Sequence, residues 1–314
     1  MLRLSLSFIF LLSLCPAGAQ RLTFVELNCE NLFDCQHDEG QNDLEFTPDG
    51  TRRWSSTRYW HKLNGVAQAL LASSQQLPDL VALVEVENDS VLHALTRRSL
   101  LRQAGYQYVM THSADVRGID VALLYQPQRF QLIDYKSIVV EPLRHQRPTR
   151  DLLLVKGRFI SGDTLHLLVV HAPSRYGGEL ETRNYRKHVA EQVLQTIDSI
   201  GDQHIVVAGD FNDYADSPSL LLLSGRLRNV TSQAQGSHGA MGTYRFKGDW
   251  HSLDHVLLSP SLMSHLVSTY INDAPFLLEK DEKYGGVRPR RTFNGFRYEG
   301  GVSDHLPLVV CLSF

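Results

Sequence analysis

Cysteine is scarce: the 314 residues hold four, at positions 15, 29, 35 and 311. With Cys15 set aside in the leader described below, three remain, an odd number that makes no disulfide framework. Cys29 and Cys35 are the candidate pair for an oxidising compartment. None of the three stands at zinc-site spacing from a histidine. A charge excess is also lacking. Lysine and arginine number 31 against 34 aspartate and glutamate, a formal net charge of -3. That excludes attachment to nucleic acid by bulk charge and leaves room for a local basic cleft. Past Leu14 no apolar run is long enough to cross a bilayer, so stable membrane insertion is not expected. No internal repeat and no low-complexity linker marks a boundary between domains.

The first residues, MLRLSLSFIFLLSLCPAGAQ, have the layout of an export signal. Arg3 gives the positive region, Leu4 to Leu14 the apolar stretch, and Ala17-Gly18-Ala19 the small residues of a cleavage site. Residues 1–19 are therefore expected to be removed and 20–314 to form one domain, periplasmic or extracellular. The alternative, a lipoprotein anchored through Cys15, is disfavoured by Leu14, which fits a lipobox poorly. No oligomerisation signal is visible, and a monomer is expected.

Apolar, Val- and Leu-rich runs mark strands at LTFVELN, DLVALVE, IDVALLY, LLLVKGRF, LHLLVVH and HIVVAGD. Three helices are expected. One starts at Thr57 as N-cap, with Tyr59, Leu63, Val66 and Leu70 on one face. One follows Asn88-Asp89-Ser90 and stops near Gly105. One runs from about Glu179 to Ile200 and stops at Gly201. Strands and helices interleave, which gives an α/β protein with large mixed sheets and helices on their outer faces.

Four of these strands close on a polar, ligand-type residue: Asn28, Glu85, His171 and Asp210. Asp304-His305 stands beside a further apolar run, LPLVVCLSF. Sites collect at the carboxyl ends of strands in α/β sheets. One such residue is usually the start of a loop; this many imply one rim carrying carboxylates, an Asn and two His. Carboxylates on one rim repel unless a cation lies among them. Glu85 and Asp304, with Asn28 or Glu30 nearby, offer hard oxygen ligands, which select Mg²⁺, Mn²⁺ or Ca²⁺. A hard cation beside His and Asp suits hydrolysis of a phosphate ester.

The ordered set ELNCENLFD, LVEVEN, RGIDVALLY, VVHAPSR, VAGDFND, SLDHVLLS and GGVSDHLP resembles the endonuclease/exonuclease/phosphatase superfamily, from Leu22 to Phe314. The group includes deoxyribonucleases, abasic-site endonucleases, inositol-polyphosphate phosphatases and sphingomyelinases. The resemblance implies a four-layer sandwich of two packed mixed β-sheets flanked by helices. It also implies roles. Asn28 matches a phosphate- or metal-site Asn, Glu30 a less regularly occupied acidic metal position, Glu85 the principal metal ligand and Asp304 a metal-site Asp. His171 falls near the phosphate. Asp210 matches the water-activating Asp, Asn212 a phosphate contact, His305 the catalytic His, and Asp254 the carboxylate that orients it.

Arg117 is a candidate phosphate fork, against a solvated turn Arg. Ser174 and Arg175 fall where relatives contact phosphate. Arg52-Arg53-Trp54 and Arg288 to Arg291 are groove candidates against the ordinary reading of a charged loop. The favoured function is a secreted metal-dependent nuclease cutting DNA, and RNA as a second substrate. The alternatives are a phosphoesterase for sphingomyelin, inositol phosphates or another small phosphodiester, and a catalytically inactive binding module. No base-stacking motif stands out, which counts against the nuclease.

Overall fold

A computed structural model describes residues 19–144, 146–201 and 203–314. The leader expected over 1–19, with Cys15, lies outside these residues except for Ala19. The three described cysteines are free, so Cys29 and Cys35 are not paired.

Two six-stranded sheets carry the fold. The first has β1 (Arg21–Leu32), β2 (Leu80–Val86), β3 (Gln107–Met110), β4 (Asp120–Tyr125), β13 (Leu266–Ile271) and β18 (Leu308–Ser313), in the order β13-β18-β1-β2-β4-β3. The second has β5 (Phe130–Ile138), β6 (Leu152–Phe159), β7 (Thr164–His171), β8 (His204–Asp210), β9 (Arg228–Asn229) and β12 (Asp254–Leu258), in the order β5-β6-β7-β8-β12-β9. Each is mixed: β1 with β2, and β7 with β8, are parallel, and the other neighbours are antiparallel. Three short ribbons complete the strands: β10 (Tyr244–Phe246) with β11 (Asp249–His251), β14 (Leu278–Lys280) with β15 (Val287–Pro289), and β16 (Phe293–Asn294) with β17 (Arg297–Tyr298).

Alternation along the strands builds the layers. Phe24, Ala82, Val84, Val121, Leu167, Val169, Val206, Ala208 and Val256 pack between the sheets. Their neighbours Val25, Leu27, Val81 and Leu83 turn outward onto helices α1 (Ser56–Leu71) and α2 (Asp89–Arg97). Val170, Val207 and Leu257 turn outward onto α3 (Glu179–Ile200) and α4 (Pro218–Leu223). The result is helix, sheet, sheet, helix, as the sequence implied.

Two helix limits differ from expectation. The N-cap of α1 is Ser55, whose hydroxyl accepts from the Arg58 N–H, and Thr57 lies inside the first turn. Helix α2 is capped by Asn88 and takes in Asp89 and Ser90, which were expected to precede it, and it ends at Arg97. There Arg98 and Ser99 both donate to the Ala94 carbonyl, and the chain runs on to Gly105 in turns. Helix α3 does stop at Gly201, whose φ of 81° favours glycine.

Candidate active site

The period of two that fills the sandwich also loads its rim. In β1 the inward stripe Leu22, Phe24 continues through Glu26 to Asn28. In β7 it runs Leu165, Leu167, Val169 to His171, and in β8 Val206, Ala208 to Asp210. Strand β12 opens with Asp254 on the same face as Val256 and Leu258. Asp210 lies in register with His171 on one side and Asp254 on the other. Gly209 is required just before it, since a Cβ there would meet the Val170 carbonyl at 1.8 Å.

Glu85 reaches the site by a different device. Val81 and Leu83 face the helices, so a regular strand would send Glu85 the same way. Instead the ladder skips it: Val84 pairs with Val121 and Val86 with Asp120. The bulge, with φ of 61° at Glu85, re-aims the carboxylate into the cleft. Glu30, Asn31 and Asn212 also hold positive φ, at 49°, 62° and 50°. Strained backbone thus gathers at this rim.

Hydrogen bonds fix the groups relative to one another. The Asn28 and Asn212 amides both donate to Asp210 Oδ2, at 3.0 and 3.2 Å, and the Asn212 N–H donates to Oδ1 at 2.8 Å. His305 Nδ1 lies 2.7 Å from Asp254 Oδ2, which also accepts from the Thr243 hydroxyl. Asp254 is fully buried, behind His305. Asp210, Asp254 and His305 each offer one ligand atom within 4.8 Å of the others. His171 Nε2 stands 3.7 Å from Glu85 and 3.8 Å from Asp210, buried behind both.

The acidic candidates divide. Glu85 Oε2 accepts from the Asn31 N–H at 2.8 Å. Arg117 lies 3.7 Å from the same oxygen and donates to Asn31 Oδ1, so it stands behind Glu85. Both Glu30 oxygens accept backbone N–H groups, of Thr292 and Phe293, and so anchor β16. Asp304 is paired with Arg291 at 2.5 Å. Lys62 is buried beneath them and donates to the carbonyls of Glu30 and Val302 and to the Thr292 hydroxyl.

Burial and crowding set the charges. Burial first, then the Asp254 carboxylate, pushes Asp210 up to about 7. Burial and Asp304 push Glu30 up to about 7. Burial opposes charge on His305, but Asp254, Asp210 and Asp304 outweigh it and hold the imidazole well above its ordinary value. Burial, with Arg150, Arg117 and His305 nearby, holds His171 well below. Crowded carboxyls forced toward neutrality are the donor set a hard cation relieves, so these residues fit one.

The cleft above them has a volume of about 730 Å³. Asn28, Glu30, Glu85, Ser174, Arg175, Asp210, Asn212, Asp304 and His305 line it. The Arg175 guanidinium lies 4.4 Å from the Tyr214 ring centre, and its Nη1 has no hydrogen-bond partner in the protein. The catalytic, phosphate and metal candidates thus lie in the cleft wall or directly behind it. Of the groove candidates only Arg52 and Arg291 line it: Trp54 is buried and donates to the Phe33 carbonyl, and Arg288 is paired with Glu279 at 2.7 Å.

A sequence model described as the Endonuclease/Exonuclease/phosphatase family matches residues 23–313. The chain belongs to that family. The family's enzymes are phosphoric ester hydrolases that depend on a divalent metal. The Protein angel of Drosophila melanogaster is 24% identical over 195 residues, covering 58% of this chain and 54% of that protein. The chain therefore spans about half the length of this curated relative. The mannosyl-6-phosphatase of Bacteroides thetaiotaomicron is 16% identical, with a TM-score of 0.63 over 93% of this chain and 100% of that one. TDP2 of D. rerio, solved with a single-strand DNA product, is 16% identical, with a TM-score of 0.55 over 94% and 99%. At such identity these two show the fold.

Thr243 and Tyr244, whose ring centre lies 5.1 Å from that of His305, carry no signal in the sequence, while Arg291, a groove candidate, lines the cleft and pairs with Asp304. Glu26 was read as part of an apolar strand. It is fully buried, neither oxygen has a hydrogen-bond partner, and burial with Asp254 and Asp210 holds it well above the usual carboxylate range. Its signal was available: it occupies an inward position of β1, two residues before Asn28.

Proposed function

We propose that this chain is an exported, metal-dependent nuclease that hydrolyses phosphodiester bonds of DNA, with RNA as a second substrate. The observation that carries the reading is the pairing of two units across one cleft: Asp210 held by Asn28 and Asn212, and His305 held by Asp254. Asp210 takes the proton of the attacking water, and its pKa of about 7 suits a base working near neutrality. The amides of Asn28 and Asn212 hold its carboxylate in place. Asp254 fixes the His305 tautomer through Nδ1 and leaves Nε2 for the phosphoryl oxygen. Arg175 holds the phosphate from the side of β7, with Ser174 beside it; the Asn212 amide gives its N–H groups to Asp210 and the Ala172 carbonyl and acts through Asp210. Glu85, with Asp304 and Glu30, would hold the cation, Mg²⁺ or Mn²⁺ with Ca²⁺ as a further candidate. Bound there, the metal neutralises charge on the phosphate.

Export rests on the leader sequence, and residues 20–314 are taken as one monomeric domain. The test gives purified protein supercoiled DNA, RNA, sphingomyelin, inositol phosphates and mannose 6-phosphate, with Mg²⁺ or Mn²⁺ and then with chelator. Metal-dependent nicking of DNA, lost in His305→Ala, supports the reading. Inert nucleic acid with phosphate or phosphocholine released elsewhere keeps the site chemistry and discards the substrate.

A further inference from the structure

Three large rings stand exposed around the mouth of this cleft. Tyr176 is 93% exposed, Phe296 70% and Phe246 52%. Two of them sit on tight hairpins. Phe246 ends β10 just before a two-residue turn, Lys247-Gly248, with φ of 51° and 95°. Phe296 lies in the two-residue turn between β16 and β17, after Gly295 with φ of 61°. Such turns hold a ring on a fixed mount. Tyr176 lies in the segment between β7 and α3, next to Ser174 and Arg175. Tyr176, Phe246 and Gly295 line the cleft itself. Arg52, also in its wall, lies 5.7 Å from the Phe296 ring centre and ties that ring to the mouth. Single exposed apolar side chains are ordinary, but three large rings around one functional opening mark a surface that is covered when the protein works.

Cations alternate with these rings. Lys247 lies 5.1 Å from the Phe246 ring centre, and Arg175, in the cleft wall next to Tyr176, lies 4.4 Å from the Tyr214 ring centre. One phosphate monoester needs one such cluster, not cations spread between three platforms. A chain of phosphates with flat groups between them matches the alternation. A duplex does not, because its bases hide their faces in the stack.

We propose that the cleft mouth is a stacking platform for unpaired nucleotides. Tyr176, Phe246 and Phe296 take bases, while Arg175 and Lys247 take backbone phosphates; Arg52, paired with Glu45 at 2.9 Å, only mounts the Phe296 hairpin. The chain therefore engages single-stranded nucleic acid in preference to duplex. This rests on the nuclease reading and narrows it.

The test measures binding with chelator present, so that nothing is cut. The probes are a single-stranded oligonucleotide, its duplex, and an abasic strand of equal length. The wild type is expected to bind the base-bearing single strand at least about tenfold tighter than either of the others, given a stacking gain of this order per base. A Tyr176→Ala, Phe246→Ala, Phe296→Ala triple variant, shown by its melting temperature to be folded, should lose that preference. Equal binding of the three probes by the wild type overturns the proposal, as does a preference that survives in the variant. Displacement of the strand by equimolar mannose 6-phosphate overturns it in favour of sugar stacking. Cleavage of the same strand by the wild type in Mg²⁺ reports the nuclease reading separately. A strand that is cut without base preference defeats only the platform, and a strand that is never cut defeats the reading beneath it.

Discussion

Asp210 is the residue on which the site turns. It is 2% exposed, faces Asp254 across the β8–β12 pair, and accepts three hydrogen bonds from two asparagines. Burial and Asp254 raise its pKa to about 7, while the Asn212 N–H and His305 pull the other way. A base must be ionised to act, so activity is expected to rise with pH through about 7. A cation nearby favours the ionised form. Raising the Mg²⁺ concentration should therefore move the acid limb of kcat/KM to lower pH, and a limb that ignores Mg²⁺ would remove Asp210 from the reaction. His305 and Asp254 act as one unit through their 2.7 Å contact. His305→Gln should lower kcat by about 10²–10⁴-fold. Adding Asp254→Asn should then cost far less than it does alone, because the carboxylate works through the imidazole. Steady-state kinetics on the two single variants and the double variant decide this, and additive losses would break the pair.

Elements place these residues with unequal visibility. Asn28, His171 and Asp210 were legible because each closes a regular inward stripe, which a period of two exposes in the sequence. Glu85 was read at a strand end, but its orientation was not legible, since a bulge reverses the facing that the period gives. Thr243 and Tyr244 were not legible because they lie on or beside a strand of three residues, where no period exists to be read, and Arg291 was legible only as one of a run of groove arginines, not as the partner of Asp304. The α1 start was placed two residues late because Ser55, Ser56 and Thr57 are all acceptable caps by type. Lys62 fell among the polar residues of α1, yet it is 1% exposed and joins three segments: the end of β1, the start of β16 and the approach to Ser303. Lys62→Met leaves three buried acceptors short of a donor. A loss of about 3 kcal/mol is expected, and thermal unfolding should show a fall of about 5 °C. An unchanged melting temperature would reduce Lys62 to a bystander. The β2 bulge makes its own prediction. Glu85→Gln keeps the shape and removes the charge, so the Mg²⁺ requirement should shift at least about tenfold upward, and an identical titration would take Glu85 out of the ligand set.

The whole molecule carries an acidic centre that folding makes costly to ionise. Burial raises Glu30 and Asp210 to about 7, and raises Glu87, just past β2 and beside Asp34, to about 9. A carboxyl whose folded pKa lies above its unfolded value holds more protons folded than unfolded. Its contribution is therefore fully present below the unfolded pKa and lost as pH rises through the folded one. His305, raised by Asp254 against its own burial, has the same sign, because its folded form also keeps a proton that the unfolded chain gives up. All four groups therefore act together. His171, held below its ordinary value, has the opposite sign and acts only below about pH 6.5, so in chelator the melting temperature is expected to fall from about pH 6.5 to pH 8. A cation in the cleft binds only the folded arrangement of ionised carboxylates, so it stabilises by mass action and does so more strongly at high pH. Millimolar Mg²⁺ should leave the melting temperature at pH 5 nearly unchanged and recover several degrees at pH 8. Thermal unfolding at both pH values, with Mg²⁺ and with chelator, measures the four corners of this cycle. Recovery at both pH values alike would place the cation away from these carboxylates. No recovery at either would mean that the rim, crowded as it is, does not hold the metal without substrate.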